Sequence, residues 1–241
     1  MQKNPNLMIK NPWNKISADK KILEIDKNLI EKHNHKYHDQ ENRKISTTDY
    51  PEPFLGNPDA KIYILLANPG RNIDYEKSTL ELVAKHNLKV SILKNLNHNF
   101  ENVDYPFYFL DPKFEEHPGA KWWNKSFKKL IKEDEIKRKI LANEIFEVEL
   151  YGYHSARCER RLINNREKLE SSEYSYELVR KAIIDNKIIL LARAVGDWFD
   201  KVPKLKDYEN CHFIASNRGI EFSRKTISPK PYIEIKKIME G

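Results

Sequence analysis

Four points along the chain place polar residues where an apolar run ends. They are Asn68-Pro69-Gly70, Tyr153-His154-Ser155, the turn at Val195-Gly196, and Asn217-Arg218 with the later Ser228-Pro229. Polar side chains beyond the carboxyl ends of buried strands are where open α/β sheets bind ligands, and Asn68 has that position most clearly. Two further stretches offer binding chemistry. Tyr105-Pro106-Phe107-Tyr108-Phe109-Leu110-Asp111-Pro112 is an aromatic cluster held by two prolines. It reads either as a buried loop anchor or as a stacking wall for a planar ligand such as a base. Arg157, Arg160 and Arg161 face a phosphate or pair with Glu159 and Glu167. His33, His35 and His38 lie in a polar stretch with no cysteine nearby, which favours a solvated helix end over a metal site.

The elements that position these residues follow from patterning. Residues 62–67 form a short apolar run, β-branched at Ile62 and Ile64, with a Gly-Asn-Pro-Asp turn before it and Asn-Pro-Gly after it. A run without alternation suits a strand covered on both faces, as in a parallel sheet. Similar strands are expected at 146–153, 187–192 and 211–215, and helices at 22–30, 76–86, 122–132, 136–143, 174–185 and 232–239. Ser17 or Asp19 is expected to cap the first helix, and Ser155 to cap a helix opening at Ala156. Residues 87–103 read as a loop with short structure. The helix at 122–132 carries Trp122, Trp123, Phe127, Leu130 and Ile131 with four lysines among them. Its polar side is either a solvated basic face or a face beside a nucleic-acid groove. Strands alternating with helices predict an α/β protein: three α/β/α layers around a central, mostly parallel four-stranded sheet. Residues 1–49 read as an N-terminal helical extension and 50–241 as the α/β domain.

With 241 residues, 39% of them hydrophobic and 33% charged, the chain can bury a substantial core. No apolar run approaches the roughly 20 residues of a membrane span, and the polar first 15 residues lack the apolar stretch of a secretory signal. The expectation is a cytoplasmic monomer. Two cysteines, Cys158 and Cys211, fit a reducing compartment and are too few for a cysteine-ligated iron–sulfur cluster. Lys and Arg number 43 against 36 Asp and Glu, a net charge of +7 that is compatible with a polyanionic partner.

The ordered set of strand, aromatic loop, polar strand end, strand-Gly-helix and Ser-Pro loop resembles the uracil-DNA glycosylase superfamily, from about residue 50 to the C-terminus. The mismatch-directed branch has Gly-x-Asn-Pro-Gly after its first strand, and this chain has Leu66-Ala67-Asn68-Pro69-Gly70. Thr226-Ile227-Ser228-Pro229 resembles the family's loop before the last helix. There are departures. Leu66 replaces the first glycine, the Gln-Asp-Pro-Tyr-His loop of the main uracil branch is absent, the last loop lacks its histidine, and the four cluster cysteines of some branches are missing.

The resemblance implies a DNA glycosylase, without metal or cofactor, that hydrolyses the N-glycosidic bond of a flipped damaged or modified base. The altered loops point to a base other than uracil, such as a modified pyrimidine. Asn68 would orient the attacking water, and His154 would donate to the leaving base. Phe107, Tyr153, Pro69 and Gly70 would hold the base; Asn217, Arg218, Ser228 and Arg157 would contact DNA. A catalytically inactive nucleic-acid-binding module of the same fold is the alternative. A small-molecule nucleoside enzyme is a third reading, weakened by the absence of any Gly-x-Gly-x-x-Gly or Walker-type loop.

Overall fold

The computed structural model describes residues 9–71, 88–163, 168–215 and 219–240. The helix expected at 76–86 lies outside them. Among the described residues five strands form one sheet: β1 (Phe54–Gly56), β2 (Ile62–Leu65), β3 (Ile145–Val148), β4 (Ile188–Leu191) and β5 (Cys211–Phe213). Their order is β1-β3-β2-β4-β5; β3, β2, β4 and β5 run parallel, and β1 lies antiparallel to β3. The four parallel strands are the ones the apolar runs predict. In β2, β3 and β4 every residue is buried, as unalternating runs require.

The extra edge strand, β1, escapes a patterning argument because it is three residues long and ends in the turn glycine. Gly56 has φ +103°, and a Cβ there would sit 2.5 Å from the Ile145 carbonyl oxygen, so only glycine fits. The outer side of β1 is closed by a side chain. Asn95 accepts from Gly56 N–H (2.9 Å) and donates to Phe54 C=O (2.7 Å), covering backbone groups that an open edge would expose.

Among the described residues there are seven α-helices: α1 (Glu24–Lys36), α2 (Leu88–Leu96), α3 (Pro118–Ile131), α4 (Glu135–Glu144), α5 (Ser172–Ile184), α6 (Val195–Lys201) and α7 (Pro229–Glu240). None is long and apolar enough to cross a membrane. Three expectations need correction. Residues 88–96 are helical: Leu88, Ile92, Asn95 and Leu96 share a buried face, and the asparagine that argued for a loop is the edge cap of β1. Ser17 and Asp19 do not cap α1. Ser17 instead closes a reciprocal turn with Lys20, and Glu24 and Asp26 in the first turn face the positive end of the helix dipole. No helix opens at Ala156; a single 3₁₀ turn, Arg160–Leu162, follows, and Ser155 has other work.

The register sorts the two faces of the sheet. Phe54, Phe146 and Tyr63 share one face, where His98 stacks on Phe54 at 4.5 Å and Tyr174 of α5 meets it edge-on at 6.0 Å. Glu147, Ile64, Leu190 and His212 share the other face. There His212 feels the charges of Lys230 and Glu234 on α7, α7 packs on α4, and α4 packs on α3. The N-terminal residues are not peripheral. Trp13, Ile16, Leu23 and Ile30 belong to the same buried cluster as the sheet.

Acid stability should carry the mark of two helix-end histidines. His117 Nδ1 accepts from Gly119 N–H (3.1 Å) and so caps α3 only while unprotonated. Burial, with His154 nearby, pushes it down to about 4; burial alone does the same to His98. A depressed folded pKa gives stability that is present above the ordinary value of 6.5 and lost as pH falls toward 4. The expected slope is about 1.4 kcal/mol per pH unit per histidine. In urea titrations His117→Asn, which keeps a cap acceptor, should remove its share of the slope between pH 6.5 and 4 and leave that of His98. An unchanged slope would show that the cap does not titrate.

Candidate functional site

β2 connects to β3 on one side of it, whereas β4 connects to β5 on the other. Neighbouring strands whose connections diverge leave a crevice beyond their carboxyl ends. Asn68 lies at that edge, two residues beyond Leu66. The Leu66 carbonyl is itself fixed by the indole of Trp198, buried on α6, at 2.7 Å.

The Asn68 side chain is half-buried and held in one orientation. Its Nδ2 donates to Ser155 Oγ (2.9 Å), Ser155 C=O (3.1 Å) and Pro69 C=O (3.1 Å). Two of these acceptors are carbonyls, which cannot donate, so the amide cannot be flipped. Oδ1 therefore points the other way and has no partner among the described residues. Ser155 is locked in turn. Glu159 N–H donates to Tyr151 Oη (2.9 Å), the Tyr151 hydroxyl donates to Ser155 Oγ (2.9 Å), and Ser155 donates to the Arg157 carbonyl (2.9 Å). Tyr151 and Ser155 are fully buried, which strengthens each bond and makes the loss of any one costly.

His154 joins the same edge. Its Nδ1 lies 2.8 Å from the Gly70 carbonyl, an acceptor, so Nδ1 carries the hydrogen. Nε2 faces Glu52 at 3.7 Å, and the other Glu52 oxygen accepts from the Tyr108 hydroxyl at 2.7 Å. Gly70 and Ser155 form an isolated parallel bridge, which draws the Asn68 and His154 loops together. Gly70 is exposed, and among the described residues beyond its chain neighbours no atom lies within 4 Å of where its Cβ would stand. The loop from 149 to 154 is held against 46–53 by Glu149 N–H to Pro53 C=O and Glu52 N–H to Gly152 C=O. Gly152 permits that approach; a Cβ would fall 2.6 Å from Pro53.

Beneath this edge lie two buried carboxyls, Glu147 and Glu149, each 4% exposed. Burial pushes both well above the usual glutamate range. Glu52 repels Glu147 further, and Glu147 repels Glu149. The two carboxyls repel each other when both are charged, and one proton held between them would relieve that repulsion. A raised folded pKa gives stability that is complete below the ordinary value of 4.5 and is lost as pH rises toward the folded value. The expected loss is about 1.4 kcal/mol per pH unit for each carboxyl that stays protonated. The Glu147→Gln/Glu149→Gln variant should have a flatter stability profile from pH 5 to 9 in denaturant titrations. A parent as flat as the variant would rule out a shared proton.

The other expected site residues divide. Phe107 and Tyr153 do not form a stacking wall, because both are buried in the core. Phe107 meets Trp123 edge-on at 4.9 Å, and Tyr153 donates to Asp26 (2.9 Å) and accepts from Leu23 N–H (3.1 Å). Pro69 is buried. Arg157 is exposed and lies 3.5 Å from Glu159, which Arg43 grips with two bonds of 3.0 and 2.8 Å. Ser228 is exposed just before α7, where its carbonyl accepts from Tyr232 N–H. Its loop is tied to the end of β5 by Ala215 N–H to Thr226 C=O, two strands from β2 and therefore about 10 Å across the sheet. Asn217 and Arg218 lie outside the described residues.

Patterning alone missed Glu52, Tyr151 and the Glu147–Glu149 pair. One signal was present: Glu at positions i and i+2 in an otherwise apolar strand puts two charges on one face of a buried sheet. Among the described residues no group of His, Cys, Asp or Glu could hold a metal ion. Both cysteines are unpaired. A separate open groove of about 590 Å³ is lined by Lys128, Lys129, Lys132, Glu133, Ser223, Arg224, Lys225 and Tyr232.

No protein-family model matches the chain, and no curated protein or solved structure matches it either.

Proposed function

We propose that the chain is a DNA glycosylase that hydrolyses the bond between deoxyribose and a damaged or modified base. The observation that carries this reading is the Asn68 amide. Its nitrogen is fixed by three acceptors, and its oxygen has no partner among the described residues, at the carboxyl edge of the central strand. Breaking an N-glycosidic bond develops positive charge on the sugar and negative charge on the base. When bond breaking runs ahead of attack, the water needs orientation more than deprotonation, and a fixed amide oxygen supplies it. As C1′–N breaks, Nε2 of His154 gives its proton to the departing base. Water then adds to C1′, and the proton it loses returns to Nε2. Glu52, itself held by Tyr108, lies 3.7 Å from Nε2 and orients the ring.

The test is base release. The protein is incubated with natural and modified DNAs, single-stranded and duplex, and free bases and abasic sites are detected by mass spectrometry. Release from at least one DNA is expected, and release from none would overturn the assignment. A nucleic-acid-binding module without catalysis is favoured by one observation: the described groove is strongly basic and does not include Asn68. DNA binding without release from any substrate is its signature.

A further inference from the structure

We infer that the exposed face of α3 and the groove at its C-terminal end form a track for single-stranded nucleic acid. The inference rests on the glycosylase reading only in naming DNA as the strand. From Pro118 to Ile131 the helix has four lysines and no carboxylate, and Lys132 follows at its C-cap. Its buried face is Ala120, Trp123, Ser126, Phe127, Leu130 and Ile131. Lys121, Lys125, Lys128, Lys129 and Lys132 are exposed on the opposite side, with Trp122 among them at 40% exposure.

The helix dipole rewards cations in the last turn, which accounts for Lys128 and Lys129; it opposes Lys121 and Lys125 nearer the N-terminus. Local stability therefore does not explain the whole stripe. Lys121 pairs with Glu116 and Lys129 with Glu221, whereas Lys125, Lys128 and Lys132 make no ion pair among the described residues. The stripe runs into the groove, where Arg224 and Lys225 face the helix end. The groove thus has five cations against one carboxylate, Glu133, and the Arg224 guanidinium lies 5.8 Å from the Tyr232 ring. The Phe222 N–H bond to Ser126 C=O (3.0 Å) fixes this loop against α3, so the groove is held by backbone contacts.

From Trp122 to Lys132 the stripe spans about 15 Å. Cations repeated along a line match successive phosphates. An exposed indole beside them supplies a face on which an unpaired base stacks, which a duplex does not offer. The loop of Ser228 continues from this groove and is tied to the end of β5, two strands from β2.

The test uses the full chain and fluorescence anisotropy with a labelled single-stranded oligonucleotide over a range of salt. Lys125→Ala/Lys128→Ala/Lys132→Ala should weaken binding at least tenfold and flatten the log K against log salt slope by about 2. Trp122→Ala should weaken it about 5- to 100-fold with little change in that slope, and Trp122→Phe should retain binding. Circular dichroism confirms that each variant is folded; all four positions are exposed. Wild-type affinity and salt slope in the triple-lysine variant would overturn the track even if base release is intact, which leaves the glycosylase reading standing. Lysine-dependent strand binding with no base release from any DNA would uphold the track and overturn that reading. Equal loss of duplex and single-strand binding in Trp122→Ala, or lysine-dependent binding to anionic lipid vesicles but not to the oligonucleotide, would also overturn it.

Discussion

Asn68→Ala should lower base release by about 10²- to 10⁴-fold while DNA affinity stays within a fewfold of wild type. The reason lies in how the amide is held. Its nitrogen makes three hydrogen bonds that have nothing to do with a ligand, and these fix where the oxygen points. Alanine removes the only group proposed to orient the water and leaves the strand-binding surface untouched. Asn68→Asp is the sharper comparison. A carboxylate is the stronger base, yet here it would set an oxygen against the carbonyls of Ser155 and Pro69, where a donor is required. The aspartate variant should therefore fail to exceed wild-type release and should lose about 1–3 kcal/mol of stability. Single-turnover release at saturating enzyme, with anisotropy on the same DNA, separates the two effects. If Asn68→Ala releases base at the wild-type rate, the water is oriented elsewhere and the proposed chemistry is wrong.

Tyr153→Ala should cost about 3–5 kcal/mol of folding stability, the second large effect expected. Tyr153 is 1% exposed and packs on Trp13 with ring centroids 5.3 Å apart. Its hydroxyl ties the N-terminal segment to the sheet. It accepts from Leu23 N–H and donates to Asp26, a carboxyl with no exposed surface whose pKa is raised by burial and held down by its donors from Ser171 and Tyr153. Tyr153→Phe keeps the ring and removes the tie, at a cost of about 1–3 kcal/mol, because Asp26 and Leu23 N–H lose a buried partner. Urea denaturation measures both. Release per folded molecule should be unchanged in Tyr153→Phe. A variant that folds as well as wild type but loses activity would show instead that the ring serves the substrate.

The same residue shows where reading from sequence stops. Tyr153 and Phe107 are aromatic residues near polar loops, and in sequence a stacking wall and a core anchor look alike, since both need a large flat ring. Burial separates them, and burial depends on which segments return to cover the ring. For Tyr153 those are Trp13 and Leu23, about 130 residues earlier in the chain. Asn95 misled in the opposite direction. An asparagine argues for a loop, yet here it sits on a helix because its amide is needed at the edge of β1.

The parallel strands and most of the helices were legible because their causes are local. Ile62–Leu65 and Ile188–Leu191 are unbroken apolar runs between turn residues, and the buried face of α3 repeats with helical spacing. The position of Asn68 at the end of a buried strand was equally legible, since the Pro-Gly that follows stops the strand. Tertiary structure alone decided what each polar tip does. Ser155 became the lock on Asn68 because a parallel bridge brings Gly70 beside it, across 85 residues of chain. Glu52 reached His154, and Glu147 and Glu149 came to lie together out of water, only once the sheet had closed over them. Contacts between distant segments have no local signature: the free energy that forms them belongs to the burial of the whole core.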